Sequence, residues 1–351
     1  NVSTSGNITV STASTKIGGL VGYLLNSELT TTSNFTASIT ASSSDEVGGV
    51  VGNMENSTLA SFNPTPNAIA GNNQVGGVVG LALNSSIENI DVVFTSINAN
   101  NQVGGIVGLF DQSTVTNVSS LFNALENNEI TANDQVGGVF GRVQGDVSGD
   151  GVSISSITNQ VAINGNELVG GLIGDLDAAI TIEAIVLSQV SVEAESKVGG
   201  LIGQTSTGVT LRQVGVSNVN ISGVDGSQIG GLIGVSNGTV TESYVKSFSI
   251  NYSTSLTNAG GFVGQIDAGN LTDNYVYSTS ASPNPFSNVS VTNSAGFVGN
   301  AVGGTISRAY SAVNSSLNGF TGTGTGTTIN NSFYDDDLAS GSTDTSATAT
   351  S

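Results

Sequence analysis

A glycine-rich hexapeptide that recurs along the chain constrains the fold more than any other feature of the sequence. The clearest copy is VGGLIG at 198–203, and the copies follow one another at steps of 28 to 35 residues. The first glycine of each pair is Gly18, Gly48, Gly76, Gly104, Gly137, Gly170, Gly199, Gly230 or Gly260, and a weaker copy, SAGFVG, is centred on Ala295 and Gly296. Self-similarity at a period of roughly 20 to 50 residues is typical of solenoids, propellers and other repeat architectures.

A glycine-rich loop could instead bind phosphate. A nucleotide-binding fingerprint, however, is a single loop placed once between a strand and a helix. Here the pattern Gly-Gly-apolar-apolar-Gly is written many times, and no sustained helical periodicity follows it. We therefore interpret the motif as structural.

The repeat at 229–258 shows what lies between two copies. Residues 229–235 form an apolar run rich in β-branched side chains, 238–245 half-alternates after an Asn-Gly turn signal, and 247–253 is a third run. Each run has strand length, and turn-forming residues separate them. We predict an all-β fold, a three-sided parallel β-solenoid (β-helix) of about ten coils with roughly 30 residues per coil. A propeller blade or a leucine-rich repeat fits this pattern less well.

Two sets of apolar positions recur at fixed distances from the first glycine. Ten or eleven residues after it lie Leu29, Leu59, Ile87, Val115, Val240, Leu271 and Ile306. Fourteen or fifteen residues after it lie Phe62, Ile90, Val118, Ile185, Val214, Tyr244, Tyr275 and Tyr310. We predict that both sets are inward-facing ladders, so that the tyrosines form a stacked core ladder. The alternative is an outward aromatic row that stacks on sugars.

The glycines are explained if every coil turns the same corner. Glycine is required where one backbone closely approaches another, or where φ is positive. Of the two apolar residues inside each copy, such as Leu201 and Ile202, only one is expected to point inward, because neighbouring strand residues face opposite sides. The other is expected to pack beneath a flanking loop or to face a partner.

The segments outside the repeats define three regions. Residues 1–16 are predicted to be a partial first coil, 17–338 the solenoid, and 339–351 a flexible tail or linker. The chain begins with Asn1 and lacks a signal-like segment, which favours a processed form or an excised fragment. We expect the open coil edge to meet more of the native chain or another subunit, because uncovered strands present unpaired backbone groups.

Charge and composition exclude several partners. Six basic residues stand against 26 acidic ones, giving a formal net charge of −20 at pH 7. Nucleic acids and anionic lipid surfaces would repel such a chain. No apolar run reaches the length of a membrane span, so we expect no membrane insertion. The absence of cysteine excludes disulfides, and without histidine no serine can be activated by an imidazole.

Two acidic clusters are calcium candidates, and calcium is the one cofactor that the sequence suggests. Asp146 and Asp150 lie in GDVSGDG, while Asp335 and Asp337 lie in YDDD. Carboxylate oxygens are suitable ligands, although neither the EF-hand spacing nor the nonapeptide glycine-aspartate repeat is present. Solvated turns are the alternative.

The later repeats resemble the GLUG motif of bacterial secreted and cell-surface proteins. The matching segments are GGLIGVSNGTVTESYV, GGFVGQIDAGNLTDNYVYS and AGFVGNAVGGTISRAYS, and the resemblance covers roughly residues 17–337. Earlier copies lack the tyrosine, and two copies carry the insertions LENNEITANDQ and QGDVSGDGVS. The resemblance implies an exported repeat stalk or adhesive surface, and it does not imply peptidase activity.

Three functions from different classes follow. The leading hypothesis is an extracellular or cell-surface structural and adhesive β-solenoid, without enzymatic activity, which acts as a stalk, fibre subunit or surface contact and self-assembles end to end. The second is a multivalent glycan-binding module. The third is a polysaccharide-active β-helix enzyme, which the single, scattered basic residues Lys16, Arg142, Lys197, Arg212, Lys246 and Arg308 make the weakest of the three.

Overall fold

The computed structural model describes residues 6–30, 36–122, 129–145, 153–159, 162–278, 285–287, 290–314, 318–324, 326–339 and 348–350. The described residues form short strands joined by turns and bends. The chain divides into two compact units. Unit 1 comprises Asn1–Gly165 and Gly171–Ile180, and unit 2 comprises Asn166–Gly170 and Thr181–Ser351.

In unit 1 every turn contributes to three sheets. The first sheet follows the glycine corner and contains Val21–Leu25, Val51–Glu55, Val79–Leu83, Val107–Asp111, Phe140–Gly145 and Ile173–Ala178. The second contains Glu28–Thr30, Thr58–Phe62, Ser86–Phe94, Thr114–Phe122 and Ser153–Asn159. The third returns the chain to the next corner and contains Asn7–Thr9, Ile17–Gly18, Ser38–Thr40, Val47–Gly48, Ala68–Ala70, Asn73–Gly76, Ser96–Asn98, Asn101–Gly104, Glu129–Thr131, Asp134–Gly137 and Ala162–Asn164.

Unit 2 has the same three-sheet arrangement. Its first sheet contains Ile202–Thr205, Ile233–Ser236, Val263–Ile266, Val298–Ala301 and Thr321–Thr323. The second contains Thr181–Glu183, Thr210–Arg212, Thr239–Thr241, Asn270–Thr272, Thr305–Ser307 and Thr328–Asn330. The third contains Glu167–Gly170, Val186–Ser188, Ser191–Glu193, Ser196–Gly199, Gly215–Gly230, Tyr244–Gly260, Tyr275–Ser278, Phe286–Ser287, Val291–Thr292, Tyr310–Val313, Phe333–Asp335 and Thr348–Thr350.

Each strand pairs in parallel with the equivalent strand of the neighbouring turn, which confirms the predicted β-solenoid. Val75, for example, pairs with Val103, and Val240 pairs with Leu271. The first sheet contains eleven of these strands, six in unit 1 and five in unit 2, spaced about 30 residues apart, so the number of turns differs slightly from the ten coils expected.

The predicted ladder ten or eleven residues after the first glycine forms the core of the second sheet. Leu59, Ile87 and Val115 are in register and fully buried in unit 1. Leu271 and Ile306 continue the equivalent ladder in unit 2 and are also fully buried. Burying one such side chain stabilises the fold by about 1.5–3 kcal/mol, and in-register stacking repeats that gain at every turn. Leu29 heads its column and is half-buried.

The corner requires glycine because three backbones crowd together there. A Cβ on Gly76 would overlap the carbonyl oxygen of Val79 in the same corner, and one on Gly77 would overlap that of Gly105 in the next turn. A Cβ on Gly80, the last residue of the motif, would lie 2.5 Å from the backbone carbon of Glu46 in the preceding turn. Close approach, rather than a positive φ at the glycines, therefore explains the motif.

Positive φ angles at the corner belong to another residue, two positions before the first glycine. These residues have φ between 51° and 61° and are Lys16, Glu46, Gln74, Gln102, Gln135, Leu168, Lys197, Gln228, Asn258 and Asn293. A left-handed residue bends the strand locally, while the residues on either side of it, such as Asn73 and Val75, stay paired with the next turn.

Both apolar residues inside the motif are buried, so neither is left exposed to solvent or to a partner. Leu201 and Ile202 are each fully buried, as are Val78 and Val79. Strict alternation does not apply because the chain bends at the first residue of each pair, and the strand begins only at the second.

A polar ladder lies beside this apolar core in unit 1. The backbone N–H of Ser27 donates to Oγ of Ser57, that of Ser57 to Oγ of Ser85, and that of Ser85 to Oγ of Ser113, at 3.0–3.1 Å. Ser57, Ser85 and Ser113 are buried. Each hydroxyl thus satisfies a backbone donor where the chain leaves the first sheet, a group that would be costly to bury without a partner.

The terminal segments also contain paired strands. Asn7–Thr9 pairs with Ser38–Thr40. Thr348–Thr350 pairs with Phe333–Asp335, and Ala339 is buried. The segment 339–351, expected to be a flexible tail or linker, therefore includes a strand.

Candidate binding surface

The tyrosine column of unit 2 lies on the outside of the third sheet, so its prediction as a core ladder is wrong. Tyr244 pairs with Gly215 and not with the buried Val214, and the column continues in register through Tyr275, Tyr310 and Phe333. Tyr275, Tyr310 and Phe333 are 45%, 38% and 40% exposed. A shift of one residue along a strand moves a side chain to the opposite face. The distance from the glycine therefore does not fix the column, since Tyr244 at fourteen residues and Tyr275 at fifteen share one column while Val214 at fifteen lies outside it.

A second tyrosine widens this exposed surface along the strand. Tyr277 lies two residues after Tyr275, so both side chains project from the same side of the strand, and Tyr277 is 40% exposed. It pairs in register with the exposed Lys246. Val186, 51% exposed, pairs with Gly215 and begins the column. We call the set Val186, Tyr244, Tyr275, Tyr277, Tyr310 and Phe333 the aromatic face.

The rings at one end of the aromatic face are held in a defined geometry. Tyr244 and Tyr275 stack with ring centroids 5.4 Å apart and an interplanar angle of 12°. The ring of Tyr244 lies over Gly215, where a Cβ would overlap it, as is common for aromatic side chains covering a strand glycine. Partial burial, with a smaller contribution from Tyr275, raises the pKa of the Tyr244 hydroxyl. That hydroxyl therefore stays protonated, and able to donate a hydrogen bond, at neutral pH.

Charged and amide groups border the aromatic face two residues before its main column. Arg308 binds Asp273 through two hydrogen bonds of 2.6 Å, from Nε and Nη2. Nε2 of Gln213 donates to Glu242 at 2.6 Å. The contact with Arg308 holds the pKa of Asp273 below its usual range and raises that of Arg308. The rim thus offers hydrogen-bond donors and acceptors whose charges are compensated.

Tyr252 belongs to the interior of unit 2 rather than to the aromatic face. It is 3% exposed, and its hydroxyl donates to the carbonyl oxygen of Ala194 at 2.7 Å. Burial, together with the charge of Glu195, strongly raises its pKa. Gly223 and Gly226 make room for the ring, since a Cβ on either would lie within 2.8 Å of it.

The calcium candidates differ in what the structure describes. Asp146 and Asp150 lie outside the described residues. Asp335 accepts a hydrogen bond from the backbone N–H of Leu338 at 3.2 Å, in a turn where Asp337 is exposed. Among the described residues there is no group of three or more acidic side chains arranged to hold a metal ion.

Two polar grooves lie on unit 1. One, of about 380 Å³, is lined by Asp45, Asn73, Gln74, Asn101, Gln102, Asp134 and Gln135 from successive turns. Oδ1 of Asp45 accepts hydrogen bonds from Asn72 and from both the backbone and side chain of Asn73, at 2.9–3.1 Å. Neighbouring amide groups already bind this carboxylate oxygen. We therefore interpret this row of polar side chains as part of the scaffold and not as a ligand-binding site. The second groove, of about 290 Å³, is lined by Ser61, Asn63, Asn89, Asp91 and Asn117.

A largely buried carboxylate in unit 1 predicts a pH effect on stability. Asp175 lies 3.4 Å from Nε of Arg142 and accepts a hydrogen bond from Gln135 at 3.0 Å. Burial raises the pKa of Asp175, and Arg142 offsets this only in part. A raised folded-state pKa means that stability is highest when the group is protonated, and that it falls as pH rises from the ordinary pKa through the raised one.

Asp175→Asn is therefore expected to be at least as stable as the wild type at pH 7, and its advantage is expected to disappear below about pH 4, where the wild-type carboxyl is protonated in both states. Thermal melts from pH 3 to 8 measure this difference. Asp177→Asn is the control, because it removes the more exposed partner of the same arginine and should change stability by at most about 1 kcal/mol. An Asp175→Asn protein that is less stable at pH 7 would contradict the assignment.

The basic residues are distributed over the surface rather than gathered. Lys16 lies 3.7 Å above the ring of Tyr23. Lys197 pairs with Glu167, and Arg212 pairs with Glu183. The described residues include no helix long and apolar enough to cross a membrane.

Comparisons of the chain with protein-family models, with curated proteins and with solved structures found no match.

Proposed function

We propose that this chain is an exported structural and adhesive β-solenoid without enzymatic activity, a stalk, fibre subunit or surface contact of a cell. The observation that carries the proposal is the aromatic face, in which Tyr275, Tyr277, Tyr310 and Phe333 are exposed on an otherwise polar surface. Exposed apolar patches bordered by polar residues are typical of interaction sites. The resemblance of the repeats to the GLUG motif supports an extracellular location.

The core of unit 2 suits a load-bearing role. Phe262, Phe297 and Phe320 stack in the core of unit 2 with centroid distances of 4.9 Å and interplanar angles of 4° and 7°. Val263 and Val298, the residues that follow the first two rings, pair in register in the first sheet. In a repeat protein of this kind each turn is held by its neighbours, so stability accumulates along the stack.

Surface display tests the adhesive role. The chain is fused to an outer-surface anchor of a non-adherent bacterium, and attachment is counted under flow on cell-wall-coated and abiotic surfaces. We expect attachment at least tenfold above that of cells displaying an anchored protein of similar size and charge. Equal attachment of the two strains would refute the adhesive role, whichever part of the chain makes the contact.

A further inference from the structure

We propose that the aromatic face binds a neutral, extended polysaccharide built of pyranose rings with equatorial substituents, such as a β-linked glucan. This inference rests on the proposed adhesive role and names its partner. The face would be the site of the second function considered above, glycan binding. Three features of the described residues support it.

The first feature is the concentration of exposed apolar side chains. Nine large apolar residues are exposed among the described residues, and five of them lie on the aromatic face, namely Val186, Tyr275, Tyr277, Tyr310 and Phe333. The other four, Tyr23, Leu25, Val224 and Val302, lie outside it. Scattered exposed apolar residues need no explanation, but a contiguous group in register on one sheet does.

The second feature is the spacing of the rings. Successive members of the column are separated by one strand spacing, about 4.8 Å, and Tyr277 is displaced along the strand by two residues, about 6.6 Å. A pyranose unit in an extended chain advances by a length close to one strand spacing. Successive sugars could therefore lie over successive aromatic residues, with their apolar C–H faces against the outward edges of rings that stack along the column as Tyr244 and Tyr275 do, and with their hydroxyls at the sides.

The third feature is the polar rim. Sugar hydroxyls both donate and accept hydrogen bonds, and the rim presents both kinds of group in Arg308, Asp273, Gln213 and Glu242. Lys246 lies beside Tyr277 and adds a further donor. These groups are exposed, so binding a hydroxyl would not require burying an unpaired charge.

The charge of the chain favours a neutral occupant. At a formal net charge of −20, a polyanionic glycan would be repelled, most strongly at low salt. A neutral polysaccharide escapes this repulsion. Because several weak contacts along one strand act together, the affinity for a long chain should greatly exceed that for a disaccharide.

Calorimetry with cellohexaose and sedimentation with amorphous cellulose particles test the assignment on the full chain. We expect the wild type to bind both, and the double variant Tyr275→Ser/Tyr310→Ser to lose at least tenfold in affinity. The matched control is Tyr23→Ser, because Tyr23 is 38% exposed, like Tyr310, and lies on unit 1. Tyr277→Ser is the second test variant should the double variant fold poorly, and circular dichroism melts verify the fold of each.

Four outcomes would overturn the proposal. The first is failure of the wild type to bind either probe, and the second is unchanged binding by a folded double variant or by Tyr277→Ser. The third is an equal loss of binding in Tyr23→Ser. The fourth is stronger binding to polygalacturonate, an anionic polysaccharide, than to cellulose. Sedimentation velocity adds a further check, since tyrosine-dependent self-association without glycan binding would identify the face as an interface between copies. None of these results would refute the adhesive role, which the display experiment judges separately.

Discussion

Gly77→Ala is expected to lower the melting temperature of the chain by roughly 6–12 °C, which corresponds to a loss of about 3 kcal/mol in a unit of this size. The Cβ of the alanine would overlap the carbonyl oxygen of Gly105 in the next turn, so it could be accommodated only by separating paired turns. Hydrogen exchange should show the loss first in the strands Asn73–Gly76 and Val79–Leu83. Thermal melts followed by circular dichroism measure its size.

The first glycine of the same pair provides the control. A Cβ on Gly76 would overlap the carbonyl oxygen of Val79 in its own corner and would lie 2.6 Å from that of Ile106 in the next turn. The weakest copy of the motif nevertheless carries Ala295 at this position, whereas all ten copies have glycine at the second position. Gly76→Ala should therefore lose less stability than Gly77→Ala, and the reverse order would show that the side chain accepted at Ala295 is not accepted at the earlier corners.

Phe297→Ala is the second substitution with a large expected effect, a loss of about 3–5 kcal/mol in the free energy of unfolding. Phe297 is fully buried between Phe262 and Phe320, so its removal opens a cavity and breaks two ring contacts at once. Denaturant unfolding, followed by hydrogen exchange in the strands of unit 2, measures the loss.

Phe333→Ala is the matched control in the same unit. Phe333 is 40% exposed at the end of the aromatic face, so truncating it should cost no more than about 1 kcal/mol. If both substitutions cost the same, the three-ring stack does not stabilise unit 2 in the way described.

The period of the motif was sufficient to predict the architecture. Parallel in-register pairing makes equivalent residues of successive turns neighbours, so an apolar column such as Leu59, Ile87 and Val115 is visible as a recurrence in the sequence. The need for glycine at each corner was predicted on the same basis. The reason for it, close approach rather than a positive φ, required the backbone geometry.

The aromatic face was misplaced because small differences in repeat length hide the register. Tyr244 lies fourteen residues after its glycine, and Val214 lies fifteen after its own, yet only Val214 points inward. Along a strand a single residue decides which side a group faces, whereas spacing measured from a distant glycine carries an error of about one residue. Gly215, unusual within an apolar strand, was the available signal, because it leaves room for an aromatic ring in the next turn.

The polar interactions were still less accessible to sequence reasoning. The burial of Asp175 and its contacts with Arg142 and Gln135 depend on side chains from three different segments of unit 1. A chain rich in Asn, Ser and Thr offers many equivalent partners for each group. Only the stacking of particular turns selects among them.

At the left-handed residue before each corner, the backbone conformation stays the same while the side chain varies from turn to turn. At this position the chain accepts Lys16, Glu46, Gln74 and Leu168 alike, with nearly the same φ. A non-glycine residue there carries a strain of about 1–2 kcal/mol that is almost independent of its side chain. Mutation can therefore rewrite the charge pattern along this edge, one residue per turn, without changing the path of the backbone. Related chains could share the same scaffold while presenting quite different rows of side chains to their surroundings.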